Sequence, residues 1–141
     1  MRLLNLTPHE VRFKDGETDE TITLVPSSEY RPRVLYDDHV VGQIANGGVE
    51  VVVRRPSRVV GLPPLREVAD DQTLLVTQRV AQAVHEMGGP LTNLPLVFPG
   101  TTAVDGARRD SETRRLSFVT RLFAYSQAHV TKELLDIESQ V

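Results

Sequence analysis

A chain of 141 residues is the size of one ordinary domain, and with 40% hydrophobic residues, 5% aromatics and no Trp it must build a modest core from Val and Leu. The absence of cysteine excludes disulfides, thiolate nucleophiles and Cys-based zinc or iron–sulfur sites. A formal net charge of -3 argues against a protein whose main task is extended, non-specific nucleic-acid binding, which needs a basic surplus.

Residues 2–13 read as a strand with a break. Leu3, Leu4 and Leu6 are apolar, Thr7-Pro8 forces an extended or turn geometry, and Val11 and Phe13 resume the alternation. Asp15-Gly16 makes a turn, and a polar loop runs to Glu20. Residues 21–25 alternate as a strand that Pro26-Ser27-Ser28 ends. Residues 33–44 read as two short strands around a turn at Asp37-Asp38. Asn46-Gly47-Gly48 is the strongest hairpin signal, because these residues tolerate the positive φ values of a tight turn. Val51-Val52-Val53 predicts a strand over 49–54 buried on both faces and interrupted by Pro56. Val59-Val60-Gly61-Leu62 follows, closed by Pro63-Pro64.

After a polar loop at 65–72, residues 73–76 form a short buried strand. Thr77 then caps a helix over 78–87, with Val80, Ala81, Val84 and Met87 as its core face and Gly88-Gly89-Pro90 as its stop. Residues 94–98 are a strand ended by Pro99-Gly100, residues 101–114 a polar loop, and residues 116–125 another strand. From about Ser126 the tail is helical, with Val130, Leu134, Ile137 and Val141 forming one narrow apolar stripe. The expectation is a single α+β domain over 1–141, with the helix at about 126–141 as an extension. Its core would be a mostly antiparallel twisted sheet or partial barrel of about six to eight short strands, with one central helix and the C-terminal amphipathic helix. The apolar run at the N-terminus is too short for a signal peptide and no stretch reaches membrane-span length, so a cytoplasmic protein without a membrane partner is expected.

Several segments occur in a telling order: NLTPHEV at 5–11, GLPP at 61–64, LLVTQRVAQAV at 74–84, VFPG at 97–100, and Arg109-Asp110. This series, covering residues 3–123, resembles a family of small uncharacterised bacterial and phage-encoded proteins that open with Asn-Leu-Thr-Pro-His. In that family a Gly-Leu-Pro precedes a strand reading Ile-Val-Ser and a helix, and a Val-Pro-Gly and a Val-Arg-Asp come later. Here Thr77 stands in place of the family's Ser and keeps the hydroxyl. Val59-Val60 replace an acidic residue expected before Gly-Leu-Pro, which tells against an acid–base role there. The resemblance implies no named activity; its phage and bacterial setting implies, by analogy, a role in phage–host conflict.

The candidate chemistry follows from residue types. His9 could act as a general base with Asn5 or Glu10 beside it, and Thr7 shares its strand face; the same residues also make a self-satisfied turn. Asp37, Asp38 and His39 are adjacent, so at most two could serve one metal ion, and no metal site or cofactor is expected. His85-Glu86 lacks a second His at helical spacing. Thr77 at a helix start, with Arg79 close by, suits a phosphate or carboxylate. The 16 basic residues are 14 Arg and two Lys, with Arg108, Arg109, Arg114 and Arg115 on one loop and Arg31, Arg33, Arg54, Arg55 and Arg58 in a second cluster. Arg suits bidentate recognition of an anion, or ion pairing within the protein or between copies. Phosphate-cradling P-loop, dinucleotide-fold Gly and GxSxG patterns are absent.

The leading expectation is therefore a binding protein for a small anionic, nucleotide-like ligand, contacted by Asn5, Thr7, His9, Thr77, Arg79, Arg108, Arg109 and Asp110. One alternative is a small enzyme using His9 with Arg109 and Asp110; another is a homo-oligomeric interaction module built on the C-terminal helix.

Overall fold

Leu74, Leu75 and Val76 are 0% exposed, and the architecture radiates from them. The structure is a computed structural model that describes residues 2–100, 107–109 and 116–125. Strand β6 (Gln72–Leu75) lies in parallel between β1 (Arg2–Asn5) and β7 (Leu96–Pro99), and β10 (Leu122–Phe123) adds antiparallel to β7. Because side chains alternate along a strand, β6 feeds two cores. Leu74 and Val76 face one side with Leu4, Leu6, Leu96 and Phe98, where they meet Val80, Ala81, Ala83 and Val84 of helix α1 (Gln78–Met87). Leu75 faces the other side with Leu3, Val97 and Leu122, where it meets Val11, Phe13, Leu24 and Val119.

The second core belongs to a second sheet. It contains β3 (Thr21–Leu24), β2 (Val11–Lys14), β9 (Leu116–Val119) and β8 (Ala107–Arg109), in that order, with β2 and β9 parallel and the other pairs antiparallel. The result is three layers: helix, first sheet, second sheet. Strands β4 (Arg33–Ile44) and β5 (Val49–Val60) form a separate antiparallel ribbon. Val34 and Val59 at its base join the helix-side core, while its distal half carries exposed Val40, Val41, Ile44, Val49, Val51, Val52 and Val53.

The α+β class, the Thr77 cap, the 78–87 helix and the Gly-rich turn agree with the sequence reading. Val80 N–H donates to Thr77 Oγ1 at 3.3 Å, and Gly88 and Gly89 end the helix with φ of 67° and 81°. At the ribbon tip, Ala45, Asn46 and Gly47 all take positive φ.

Other expectations need correction. The sheets are mixed rather than mostly antiparallel, ten strands replace six to eight among the described residues, and these strands do not close into a barrel. Asp37-Asp38 is not a turn: β4 runs straight through, because Asp38 is held by Arg54 and Asp37 sits opposite Arg55. Pro56 does not end β5, because the pairing shifts there and leaves Ser57 as an extra residue whose hydroxyl donates to the Leu35 carbonyl. Val51, Val52 and Val53 are 36–42% exposed rather than buried, since no other strand or layer flanks the distal ribbon among the described residues. Met87 is exposed and Ala83 takes its place in the helix's core face. The expected loop at 101–114 contains β8, and the expected strand at 116–125 is two strands in different sheets. The helix expected at 126–141 lies outside the described residues.

Candidate functional site

The Thr7-Pro8-His9 corner is organised by Asn5, which is 2% exposed at the end of β1. Its amide nitrogen donates to the carbonyls of His9 and Leu24, both at 2.9 Å. Its amide oxygen accepts from the Thr7 N–H at 2.9 Å and from the Thr7 hydroxyl at 2.6 Å. Two donors and two acceptor positions are thereby filled, the full capacity of a primary amide. The Thr7 hydroxyl also lies 2.9 Å from the His9 carbonyl. Asn5 and Thr7 thus turn their polar atoms inward, tying β1 to the start of β2 and the end of β3. His9 is exposed, and its imidazole has no hydrogen-bond partner among the described residues.

Strand register gathers the sequence motifs at one edge. Asn5 pairs with Leu75 and Leu75 with Val97. Thr7, Thr77 and Pro99 each come two residues later, so three parallel strands end side by side. Leu122 pairs with Pro99 across β7, which brings exposed Arg121 to the same edge. Helix α1 starts here, with Thr77 half-buried and Arg79 exposed. The Thr77 oxygen accepts from Val80, which leaves its proton available to a ligand. Parallel sheets commonly take ligands outside the carboxyl ends of their strands, and the N-terminus of α1 lies at that end here. Gly61 of the GLPP segment supports the fold rather than this edge. Its φ is +83°, and a Cβ there would overlap the Arg31 carbonyl, so only glycine fits.

The register also locates the arginine loop. Val119 pairs with Phe13 in parallel and Arg109 pairs with Leu116, so Arg109 lies at the end of the second sheet nearest the His9 corner. Arg108 pairs with Phe118 in the same strand. Asp110, Arg114 and Arg115 lie outside the described residues. The other basic cluster is not at this edge: Arg33, Arg54, Arg55 and Arg58 belong to the ribbon. There Arg54 grips Asp38 with two hydrogen bonds of 2.9 and 3.0 Å and lies 5.3 Å from the Tyr36 ring centre. This pairing holds the Asp38 carboxyl below its ordinary pKa.

No group of three or more potential metal ligands exists among the described residues. His85 stacks on Tyr125 with ring centroids 4.7 Å apart, at the start of an aromatic row continuing to Phe98 and Phe123. A cleft beside this stack, lined by Ala81, Val84, His85, Leu94, Leu96 and Tyr125, measures about 40 Å³. That volume holds a few waters and falls far short of the roughly 300 Å³ of a small-molecule pocket. The cleft also lies at the opposite end of α1 from Thr77. No helix among the described residues is long and apolar enough to cross a membrane.

Sequence reasoning missed Arg121. The strand break at Thr120-Arg121 carries no Gly or Pro, and only the split of 116–125 between two sheets brings this side chain to the edge. No protein-family model matches the chain, and no curated protein or solved structure matches it.

Proposed function

We propose that the protein binds a small anionic, nucleotide-like ligand at the carboxyl edge of β1, β6 and β7. The observation that carries this reading is the register that ends three parallel strands side by side at the α1 N-terminus, with the exposed residues His9, Arg79 and Arg121 each following or flanking one of those ends. The helix start supplies unpaired N–H groups and partial positive charge. The Thr77 hydroxyl supplies a donor, and the guanidinium groups supply planar, paired donors suited to phosphate. Asn5 and Thr7 act one step back by fixing the corner that presents His9. By register the β8 position of Arg109 stands at the end of the second sheet nearest the His9 corner. The resemblance to bacterial and phage-encoded proteins supports, by analogy alone, a setting in phage–host conflict.

Titration calorimetry with inorganic phosphate and with nucleoside mono-, di- and triphosphates tests this reading. Binding by at least one nucleotide is expected, with Arg79→Ala and Arg121→Ala each weakening it about tenfold or more, as loss of a hydrogen bond to a charged group does. Absence of heat across the series, together with a clean unliganded mass for protein taken directly from cells, would remove the proposal.

A further inference from the structure

The distal ribbon presents two open backbone edges, since β4 and β5 pair only with each other among the described residues. The edges differ. That of β4 is blunted by an extra residue at Val41 and carries adjacent Asp37 and Asp38, devices that discourage pairing. That of β5 is unbroken from Val49 to Arg55 and reads Val49-Glu50-Val51-Val52-Val53-Arg54-Arg55. Such a regular, β-branched, exposed edge is a template for another strand.

The charges identify the strand that fits. In an antiparallel pair related by a two-fold axis, one residue lies on the axis and its neighbours pair symmetrically. With Val52 on the axis, Glu50 falls opposite Arg54 of the other copy at both ends, and Val51 falls opposite Val53. Centring on Val51 instead sets Glu50 against Val52, and centring on Val53 sets Arg54 against Val52. A single register therefore sets Glu50, which has no ion pair among the described residues, against Arg54, whose guanidinium already holds Asp38 across the ribbon.

We propose that residues 50–54 of β5 are a self-association surface, pairing antiparallel with the same residues of a second copy to make a four-stranded sheet, β4-β5-β5-β4. Opposite charges directly across an antiparallel pair favour the register, and like charges there oppose it. The surface lies on the ribbon, away from the ligand edge, so it stands or falls separately from the ligand-binding proposal.

Sedimentation velocity across a concentration series tests it. The wild-type chain dimerises, and Glu50→Arg, on an exposed side chain, raises the dimer dissociation constant about tenfold or more, as a like-charge clash does. Arg54→Glu has the same effect, and an equimolar mixture of the two variants recovers a dimer because each offers the other the opposite charge. Val52→Cys, in a chain with no other cysteine, forms a disulfide-linked dimer on mild oxidation. A wild-type chain that stays monomeric at its solubility limit overturns the proposal, as does a dimer indifferent to Glu50→Arg. Slow amide exchange along β5 in a monomer would place another segment of the chain on that edge, and would overturn it too.

Discussion

Leu74-Leu75-Val76 and Val51-Val52-Val53 are nearly interchangeable as local sequence, yet the first triplet is 0% exposed and the second 36–42%. Both are apolar runs of strand sequence, the second inside β5 and the first closing β6 with Val76 one residue past its end. The difference lies in what stands beside them. The first triplet ends the middle strand of three parallel ones, with helix α1 above and a second sheet below. The second belongs to a two-stranded ribbon that leaves the core after Val34 and Val59. An apolar run thus specifies a strand, while layers contributed from distant parts of the chain decide whether it is buried. An isolated two-stranded hairpin is marginal in water; this one is anchored at its base and laced by Arg54 and Asp38.

Substitutions should break the two regions unequally. Leu75→Ala is expected to cost about 2–5 kcal/mol, from lost burial and the cavity left behind. Val51→Ala, measured where the chain is monomeric, should stay within about 0.5 kcal/mol. Urea unfolding of both variants checks the contrast, and comparable losses would mean that the ribbon is covered. Asn5→Ala comes next. It removes all four hydrogen bonds that the Asn5 amide makes and strands the buried Thr7 N–H, leaving the Thr7 hydroxyl only the His9 carbonyl, at about 1–3 kcal/mol; the same urea experiment reads it.

Thr77→Ala should cost about 1 kcal/mol through loss of the helix cap, with Thr77→Ser recovering most of it. Thermal unfolding followed by circular dichroism gives that comparison. The smallest effect belongs to the ribbon's ion pair. Arg54 lowers the folded pKa of Asp38 below its ordinary 3.8, so the pair's contribution is fully present above that value and fades as the pH falls through the lowered one. Both side chains are well exposed, so the contribution is small and salt weakens it. Amide protection along β5, relative to the intrinsic exchange rate at each pH, should fall below about pH 4 in the wild type, and Asp38→Asn should remove the pH step.

The sequence made the 73–90 segment legible because its signals are local: a buried run, a hydroxyl cap, an apolar helix face and a Gly-Gly-Pro stop. It misled where local signals were outweighed. Asp37-Asp38 and Pro56 look like breaks, but cross-strand arginines and a bulge carry the strands through them. Parallel pairing of β1 with β6 joins residues about 70 positions apart, a relation that strand patterning cannot express. The candidate site was partly legible for the same reason. Asn5, Thr7, His9 and Thr77 stand out as residue types, while their alignment at one edge and the arrival of Arg121 there depend on long-range register.

We propose the carboxyl edge, not the ribbon, as the place of a ligand, and amide chemical-shift mapping during titration with a nucleoside phosphate tests that proposal most directly. The shifts should concentrate at His9, Thr77, Gln78, Arg79 and Arg121 and leave residues 40–53 unmoved. Shifts confined to the ribbon, or to the cleft beside His85, would contradict the proposal.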